Sequence, residues 1–358
     1  MNNYYKKICL IKKKDILEKI AIFESEEKKI NYKDFIKLIN FYAKNLKKLG
    51  KHIIVGCMLD NSIEVAALMV AISKLKFSLI LLEKEMNNEQ LKKCYNETNF
   101  DYLILNKKRG TAQKEFIKKT IFIEKISEIK IKKKVNNLHQ KFFICSFSSG
   151  TTSNPKPIYY SEKCKFWRTK QATNLFNVTK DDKIICYSPI YHSLAQRLTL
   201  LAITNFSTLF IMKKFNLFKY IDLIINFKIN IIFPISSHLK LIFSELKKKN
   251  CNFLKFIVGS SSDLSLAAKK NLYKFFKNKF LELYGLSEAA FVTIINNNDV
   301  KRGYIKSVGK ACKNVKIKIF NDRGKECKDG EVGEIGCKTQ LIFNYNNNQK
   351  KILKKITI

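Results

Sequence analysis

The chain is poor in the residues that punctuate and crosslink a fold. Its 358 residues include only 12 glycines and 4 prolines, which excludes collagen-like and Pro/Gly-rich low-complexity classes. Ten cysteines, at 9, 57, 94, 145, 164, 186, 251, 312, 327 and 337, contain no C-x-x-C pair, and no histidine (52, 139, 192, 238) stands at zinc-site spacing. The opening MNNYYKKICL lacks an apolar signal core. Scattered cysteines without a secretion signal point to reduced thiols in a cytoplasm. Clean long apolar runs are missing too. Val65–Leu82 is interrupted by Lys74 and Lys76, and Leu198–Met212 by Asn205. Neither offers the roughly 18–20 uninterrupted apolar residues a spanning helix needs, so a soluble protein with no transmembrane segment is expected.

Acidic residues are scarce, 30 Asp+Glu against 68 Lys+Arg, for a formal net charge of +38. Arginine is scarcer still, at five of the 68 basic residues. A nucleic-acid site favours arginine for bidentate contacts to phosphate and guanine, and the lysines here are spread along the chain. With Ile, Asn and Phe also abundant, the basicity reads as compositional. No specific nucleic-acid partner is expected, only weak attraction to polyanions. No basic amphipathic stretch stands out to mark a membrane-surface protein. What is present is apolar: 46% hydrophobic and 12% aromatic residues, enough for a sizeable core and against wholesale disorder.

The apolar rhythm predicts an α/β chain. Phe35, Leu38, Ile39, Tyr42, Ala43, Leu46 and Leu49 recur at helical spacing over Tyr32–Leu49, with Asn31 and Asp34 placed as a capping box and Gly50 placed to end the helix. Strands are expected at Ile53–Leu59, Ser78–Leu82 and Tyr102–Leu105, alternating with helices at Asn61–Leu75 and Glu89–Asn99, which implies a parallel sheet with helices on its faces. Residues 106–141 are Lys-rich and weakly patterned and read as a surface excursion. Strands follow at Phe142–Phe147, Lys183–Tyr187, Ile229–Phe233, Phe253–Val258 and Lys279–Leu283, with a helix-then-strand block over 194–212. Val315–Phe320 alternates as a half-exposed antiparallel strand, and Asn321–Gly324 supplies its turn. There is no internal repeat.

The segment most suggestive of chemistry is Ser146–Pro157, SFSSGTTSNPKP. Backbone N–H groups in such a turn converge on phosphate, hydroxyls add donors, and Lys156 adds a mobile point charge. The nucleotide P-loop pattern G-x-x-x-x-G-K-[ST] is absent. On its own, the segment is equally consistent with a flexible polar loop between core elements. Other segments fall in order after it. Tyr284–Glu288 (YGLSE) lies about 130 residues downstream, with Ser188–His192 (SPIYH) and Val258–Ser265 (VGSSSDLS) between; Ser307–Lys310 (SVGK) and 324–336 (GKECKDGEVGEIG) follow. Taken singly, each has a plain structural explanation. Glu288 could be a solvated helix-start carboxylate, Tyr284 a core aromatic, His192 a hydrogen-bonded structural histidine, and Ser260–Ser262 a turn or cap.

Together, over about residues 20–350, the segments resemble the acyl- and aryl-adenylating superfamily of acyl-CoA synthetases, nonribosomal adenylation domains and luciferases. The resemblance implies a large N-terminal domain of helix-flanked, mainly parallel sheets with a distorted β-barrel portion. It suggests an N-terminal α/β subdomain over 1–145, a second with the nucleotide site over 146–300, a partial β-rich subdomain over 301–343, and a Lys/Asn/Ile-rich tail over 344–358. It implies ATP and Mg²⁺ as cofactors, a carboxylic-acid substrate, and CoA or a carrier-protein thiol as acceptor. By the same resemblance Ser148, Ser149, Gly150, Thr151, Thr152 and Lys156 cradle the β- and γ-phosphates, Ser287 contacts the α-phosphate, and Glu288 holds Mg²⁺. Tyr284 and Gly285 lie at the adenine with Gly259, Ser260 and Ser261 opposite, and His192 gates the carboxylate pocket.

The sequence departs from the family pattern in places. Ser153 stands where the family has Gly, Pro157 replaces a common Gly, and Ser260–Asp263 replaces a small Gly-Ala-Pro edge. The family's T-G-D segment and lysine-bearing C-terminal lid domain do not follow GEVGEIG. The expectation is therefore an ATP-dependent acid ligase represented by its N-terminal portion. The alternatives are a non-catalytic nucleotide- or acyl-binding remnant, or one half of a split enzyme whose second chain supplies the missing domain.

Overall fold

The computed structural model describes residues 3–106, 120–130, 142–147, 156–260, 264–339 and 341. The chain forms two compact units, Met1–Asn216 and Leu217–Ile358. The first contains α1 (Tyr4–Cys9), α2 (Lys14–Leu17), β1 (Ile20–Phe23), β2 (Lys29–Asn31), α3 (Tyr32–Leu46), β3 (Ile54–Cys57), α4 (Ile63–Leu75) and β4 (Ser78–Leu81). It continues with α5 (Asn88–Thr98), β5 (Tyr102–Leu105), β6 (Thr120–Phe122), β7 (Ile144–Phe147), β8 (Pro157–Tyr160), α6 (Glu162–Leu175), β9 (Lys183–Cys186), α7 (Ser193–Thr204) and β10 (Thr208–Ile211). A six-stranded sheet runs in the order β6-β5-β3-β4-β7-β8, parallel throughout except for the antiparallel edge strand β8. Beside one another elsewhere in this unit, β9, β10 and β1 pair in parallel and β2 antiparallel.

Local chemistry explains these elements. The Asn31 side chain accepts the Asp34 amide at 2.8 Å and starts α3, whose Phe35, Ile39, Tyr42, Ala43 and Leu46 form the buried face. Helix α4 is buried on nearly every side from Ile63 to Ser73. The apolar run Val65–Leu82 is therefore a core helix and the buried strand β4 rather than a membrane element, and among the described residues no helix is long and apolar enough to cross a membrane. A core of Ile54, Met58, Ile80, Leu91, Phe100, Leu103 and Cys145 fills the space beside the sheet. One expectation needs correcting. Within 106–141, Thr120–Phe122 pairs in parallel with β5, and Ile123 and Ile126 of the following 3₁₀ turn are buried. A three-residue, half-buried strand among lysines is too short to show a period.

The second unit contains α8 (Leu217–Asn226), β11 (Ile231–Ile232), α9 (Ser236–Leu246), β12 (Phe256–Gly259), α10 (Leu266–Phe276), β13 (Phe280–Leu286), β14 (Ala290–Ile295), α11 (Asn297–Lys301), β15 (Lys310–Ala311), β16 (Val315–Phe320) and β17 (Glu334–Thr339). Strands β11, β12 and β13 are parallel neighbours, and β14 and β15 extend them antiparallel. Strand β16 occupies the expected residues and pairs antiparallel with β17, and the Gly324 amide closes its turn on the Asn321 carbonyl at 2.9 Å. Both units are thus mixed α/β with largely parallel sheets, as expected. The described strands close no barrel.

Two glycines of the sequence motifs are required by backbone packing. Between Tyr284 and Gly285 the β13–β14 register shifts by a bulge, and a Cβ on Gly285 would lie 2.2 Å from the Ala290 carbonyl oxygen. Gly309, at φ +91°, would place a Cβ 2.1 Å from the Ile294 carbonyl oxygen. In Gly259 the nearest atom to such a Cβ is the Phe280 ring at 3.3 Å, a contact that a small side-chain shift relieves. Gly285→Ala and Gly309→Ala are each expected to cost about 2–4 kcal/mol and Gly259→Ala about 1 kcal/mol or less. Urea denaturation of the three variants checks the ranking, and equal costs at Gly259 and Gly285 would refute it.

All ten cysteines are free thiols, six of them buried: Cys57, Cys94, Cys145, Cys164, Cys186 and Cys312. Burial pushes the Cys57, Cys94 and Cys186 thiols from 9.0 up to about 12. Their folded pKa is raised, so the stability they confer is present below 9.0 and is lost as pH climbs towards 12. Burial pushes the half-buried Cys9 thiol up to about 12 as well, so at pH 8 iodoacetamide is expected to label only Cys251, Cys327 and Cys337 in the folded chain, and the other seven only in denaturant. Peptide mass spectrometry reads the pattern, and early labelling of Cys57 or Cys186 would contradict it.

Candidate active site

In the first unit, β7 and β8 bracket the Ser/Thr/Gly segment. Their antiparallel register sets Phe147 opposite Pro157, so the two ends of the segment are held side by side. Pro157 opens an edge strand, where a missing N–H is tolerated. This is why a proline can stand there. Lys156 is exposed immediately before β8, a position suited to a mobile cation. Ser148, Ser149, Gly150, Thr151, Thr152 and Ser153 lie outside the described residues, as does Ser261.

His192 occupies the N-cap position of α7 without making a side-chain cap bond. Its ring meets Tyr191 with centroids 4.4 Å apart. The residue is open to solvent, yet surrounding protein lowers its pKa below the ordinary 6.5, against the opposing pull of Glu83, so the imidazole is neutral at pH 7. The preceding segment is pinned by a residue the sequence reading missed: Asn61 Nδ2 donates to the Ser188 carbonyl at 2.8 Å and to that of Met212 at 3.2 Å. Asn61 is 5% exposed, and a lone Asn after a strand carries no spacing signal that would have singled it out.

In the second unit, β12 and β13 run in parallel with Gly259 opposite Glu282, so Ser260 leaves the carboxyl end of β12 while Tyr284 stands two residues before the end of β13, opposite Thr293 of β14. Open α/β sheets bind ligands at such ends. The Ser260 backbone is held by a bridge to Ile235 and by the Ser236 hydroxyl, which donates to its carbonyl at 2.7 Å. The Ser260 Oγ and Tyr284 hydroxyl are both buried with no hydrogen-bond partner among the described residues. Unmade hydrogen bonds on buried polar atoms cost about 1–3 kcal/mol each. The two hydroxyls thus leave hydrogen-bonding capacity that a polar ligand could satisfy.

Ser287 and Glu288 are half-buried in the three-residue turn between β13 and β14. Glu288 thus belongs to a β-hairpin, and the alternative of a helix-start carboxylate does not hold. Among the described residues no group of three or more His, Cys, Asp or Glu is disposed to hold a metal. A single carboxylate nevertheless suits Mg²⁺, which keeps waters and takes substrate phosphate oxygens as its other ligands. The base of this hairpin is braced by a buried ion pair that sequence spacing did not reveal, Lys269 of α10 to Glu282 of β13 at 2.9 Å. A cavity of about 380 Å³ lies in the first unit by Tyr42, Asp60, Glu64 and Asn106. None of the residues assigned from sequence lines it.

A family model described as AMP-binding enzyme matches residues 12–344. An uncharacterised acyl–CoA ligase of Bacillus subtilis, YhfT, is 26% identical over 205 residues, covering 56% of this chain and 42% of that protein. Gramicidin S synthase 2 of Brevibacillus brevis is 24% identical over 349 residues, covering 94% of this chain and 8% of its own length. This chain therefore spans less than half of either relative. Among solved structures, o-succinylbenzoate CoA synthetase of Bacillus subtilis, bound to its acyl-adenylate, superposes with a TM-score of 0.83 at 16% identity, covering 97% of this chain and 71% of that one. The likeness of fold, the ordered motifs and the match across residues 12–344 lead to one conclusion: the chain belongs to the AMP-binding enzyme family.

Proposed function

We propose that this chain activates a carboxylic acid with ATP, releasing pyrophosphate, and passes the acyl group to a thiol, with CoA as the favoured acceptor. The observation that carries the reading is the family match over residues 12–344, which takes in Lys156, His192, the strand ends at Gly259–Ser260 and the hairpin at Tyr284–Glu288. In the first step a carboxylate oxygen bonds to the α-phosphorus while the bond from that phosphorus to the bridging oxygen breaks, and pyrophosphate leaves. In the second, the thiolate attacks the acyl carbonyl and AMP departs.

Two anions must meet in the first step, so catalysis is alignment and charge neutralisation more than proton transfer. Lys156 contributes a positive charge to the β- and γ-phosphates, together with donors from Ser148, Ser149, Gly150, Thr151 and Thr152. Ser287 donates to the α-phosphate. Tyr284 and Gly285 flank the adenine on one side, with Gly259, Ser260 and Ser261 on the other, and the two unpartnered hydroxyls support that placement. Neutral His192 borders the acid without adding a charge. Glu288 would hold Mg²⁺, whose charge offsets that of the departing pyrophosphate. Ten unpaired thiols favour a cytoplasmic setting.

The departures at Ser153 and Ser260–Asp263 favour a second reading, in which the chain binds nucleotide and acid without turning them over. Carboxylate-dependent exchange of labelled pyrophosphate into ATP separates the two. Exchange is expected with benzoate or hexanoate, and Lys156→Ala and Glu288→Ala should each reduce it by about 100-fold or more. ATP binding without exchange would support the second reading. Exchange that survives both substitutions would overturn the site.

A further inference from the structure

Within the first unit, two side chains with no role in the adenylation reading tie together two segments that it uses. Lys165 of α6 and Gln196 of α7 are buried, at 2% and 0% exposure. The Lys165 Nζ donates to Gln196 Oε1 at 2.5 Å and sits 3.7 Å from the centroid of the buried Tyr160 ring. The Gln196 Nε2 donates to Ser146 Oγ at 2.8 Å, to the Ile190 carbonyl at 3.0 Å and to the Tyr191 carbonyl at 3.2 Å. Ser146 lies on β7, two residues before Ser148. Ile190 and Tyr191 lie immediately before His192.

A glutamine amide has one donor end and one acceptor end, and its orientation is set by its partners. Here the lysine N–H groups claim the oxygen, so the nitrogen is turned towards three oxygens on two separate segments. The reversed amide would set its oxygen against the Ile190 and Tyr191 carbonyls. Burial, then Arg168 and with it Arg197, drives the Lys165 pKa well below the usual lysine range, and either protonation form retains N–H donors. A buried lysine without a carboxylate partner in this couple is costly to keep, which argues for a role beyond packing.

We infer that Lys165 is a positioning residue: through the Gln196 amide it holds the end of β7 and the Pro189–His192 segment in one register, so that nucleotide and acid are recognised interdependently. The ligand part rests on the proposed adenylation; the register part does not. The full chain carrying Lys165→Met, Gln196→Leu or both tests the two parts separately. Hydrogen exchange read by mass spectrometry on peptides covering 142–147 and 187–193 is expected to quicken about tenfold in both segments of Lys165→Met. Peptides of the second unit should not change.

In pyrophosphate exchange, the KM for ATP–Mg²⁺ and the KM for benzoate or hexanoate, whichever supports turnover, should both rise about tenfold, with kcat altered by less than about threefold. The double variant makes both partners apolar and should recover Tm while both KM values stay raised. KM values that recover along with Tm would reduce Lys165 to a stabilising role and overturn the proposal. So would loosening confined to one segment, or absent from both. If the wild-type chain shows no exchange at all, the adenylation reading fails, and the hydrogen-exchange measurement still decides the register.

Discussion

Parallel strand pairing is the constraint from which the rest of this chain follows. Each parallel connection must cross a sheet face and return, so the loops that leave the carboxyl ends of neighbouring strands collect at one edge. In the second unit Ser260 leaves β12 at that edge, alongside β13, because Gly259 and Glu282 are register partners. The exceptions to parallel pairing are equally important. Where β8 turns back on β7 and β14 on β13, a hairpin replaces a crossover. Lys156 stands immediately before β8, and Glu288 lies in the turn between β13 and β14.

Buried polar groups sharpen this arrangement at a cost. The Lys269–Glu282 pair sits under the Tyr284–Glu288 hairpin with side chains 5% and 10% exposed. Such pairs contribute little net stability, yet losing one partner strands the other charge at a cost of about 3–5 kcal/mol. Lys165 and Gln196 occupy a comparable place in the first unit, where an amide and an amine replace an ion pair. In both cases a polar contact fixes which way a backbone segment faces, something apolar packing leaves loosely defined. Close backbone approach does the same at Gly285, where the Ala290 carbonyl leaves no room for a side chain.

Most regular elements were legible because periodicity and caps are local. Strands β3, β4 and β5 and the alternating strand β16 with its Asn321–Gly324 turn all lie within a residue or two of where the pattern places them, and helix α3 starts at its Asn31 cap as expected and passes at Leu46 into a 3₁₀ turn over Lys47–Leu49. Elements with weak patterns were not legible: the three-residue β6, the short α1, and α6, whose buried residues include Lys165, Arg168 and Thr169. A lysine in a helix reads as solvated by default, so burial of these side chains was hidden from any count of apolar spacing.

The order of the motifs, the charge balance, the unpaired cysteines and the α/β alternation were determined by the amino-acid text itself, because each depends on residue identity or on neighbours within a few positions. Tertiary structure alone decided that Glu288 sits in a hairpin turn, that Asn61 pins the segment before His192, that Gln196 is oriented by Lys165, and that Lys269 meets Glu282. Those contacts join residues between 13 and 151 positions apart. Which distant polar groups meet is set by strand register and by which helix face is buried, and neither is written at any single position.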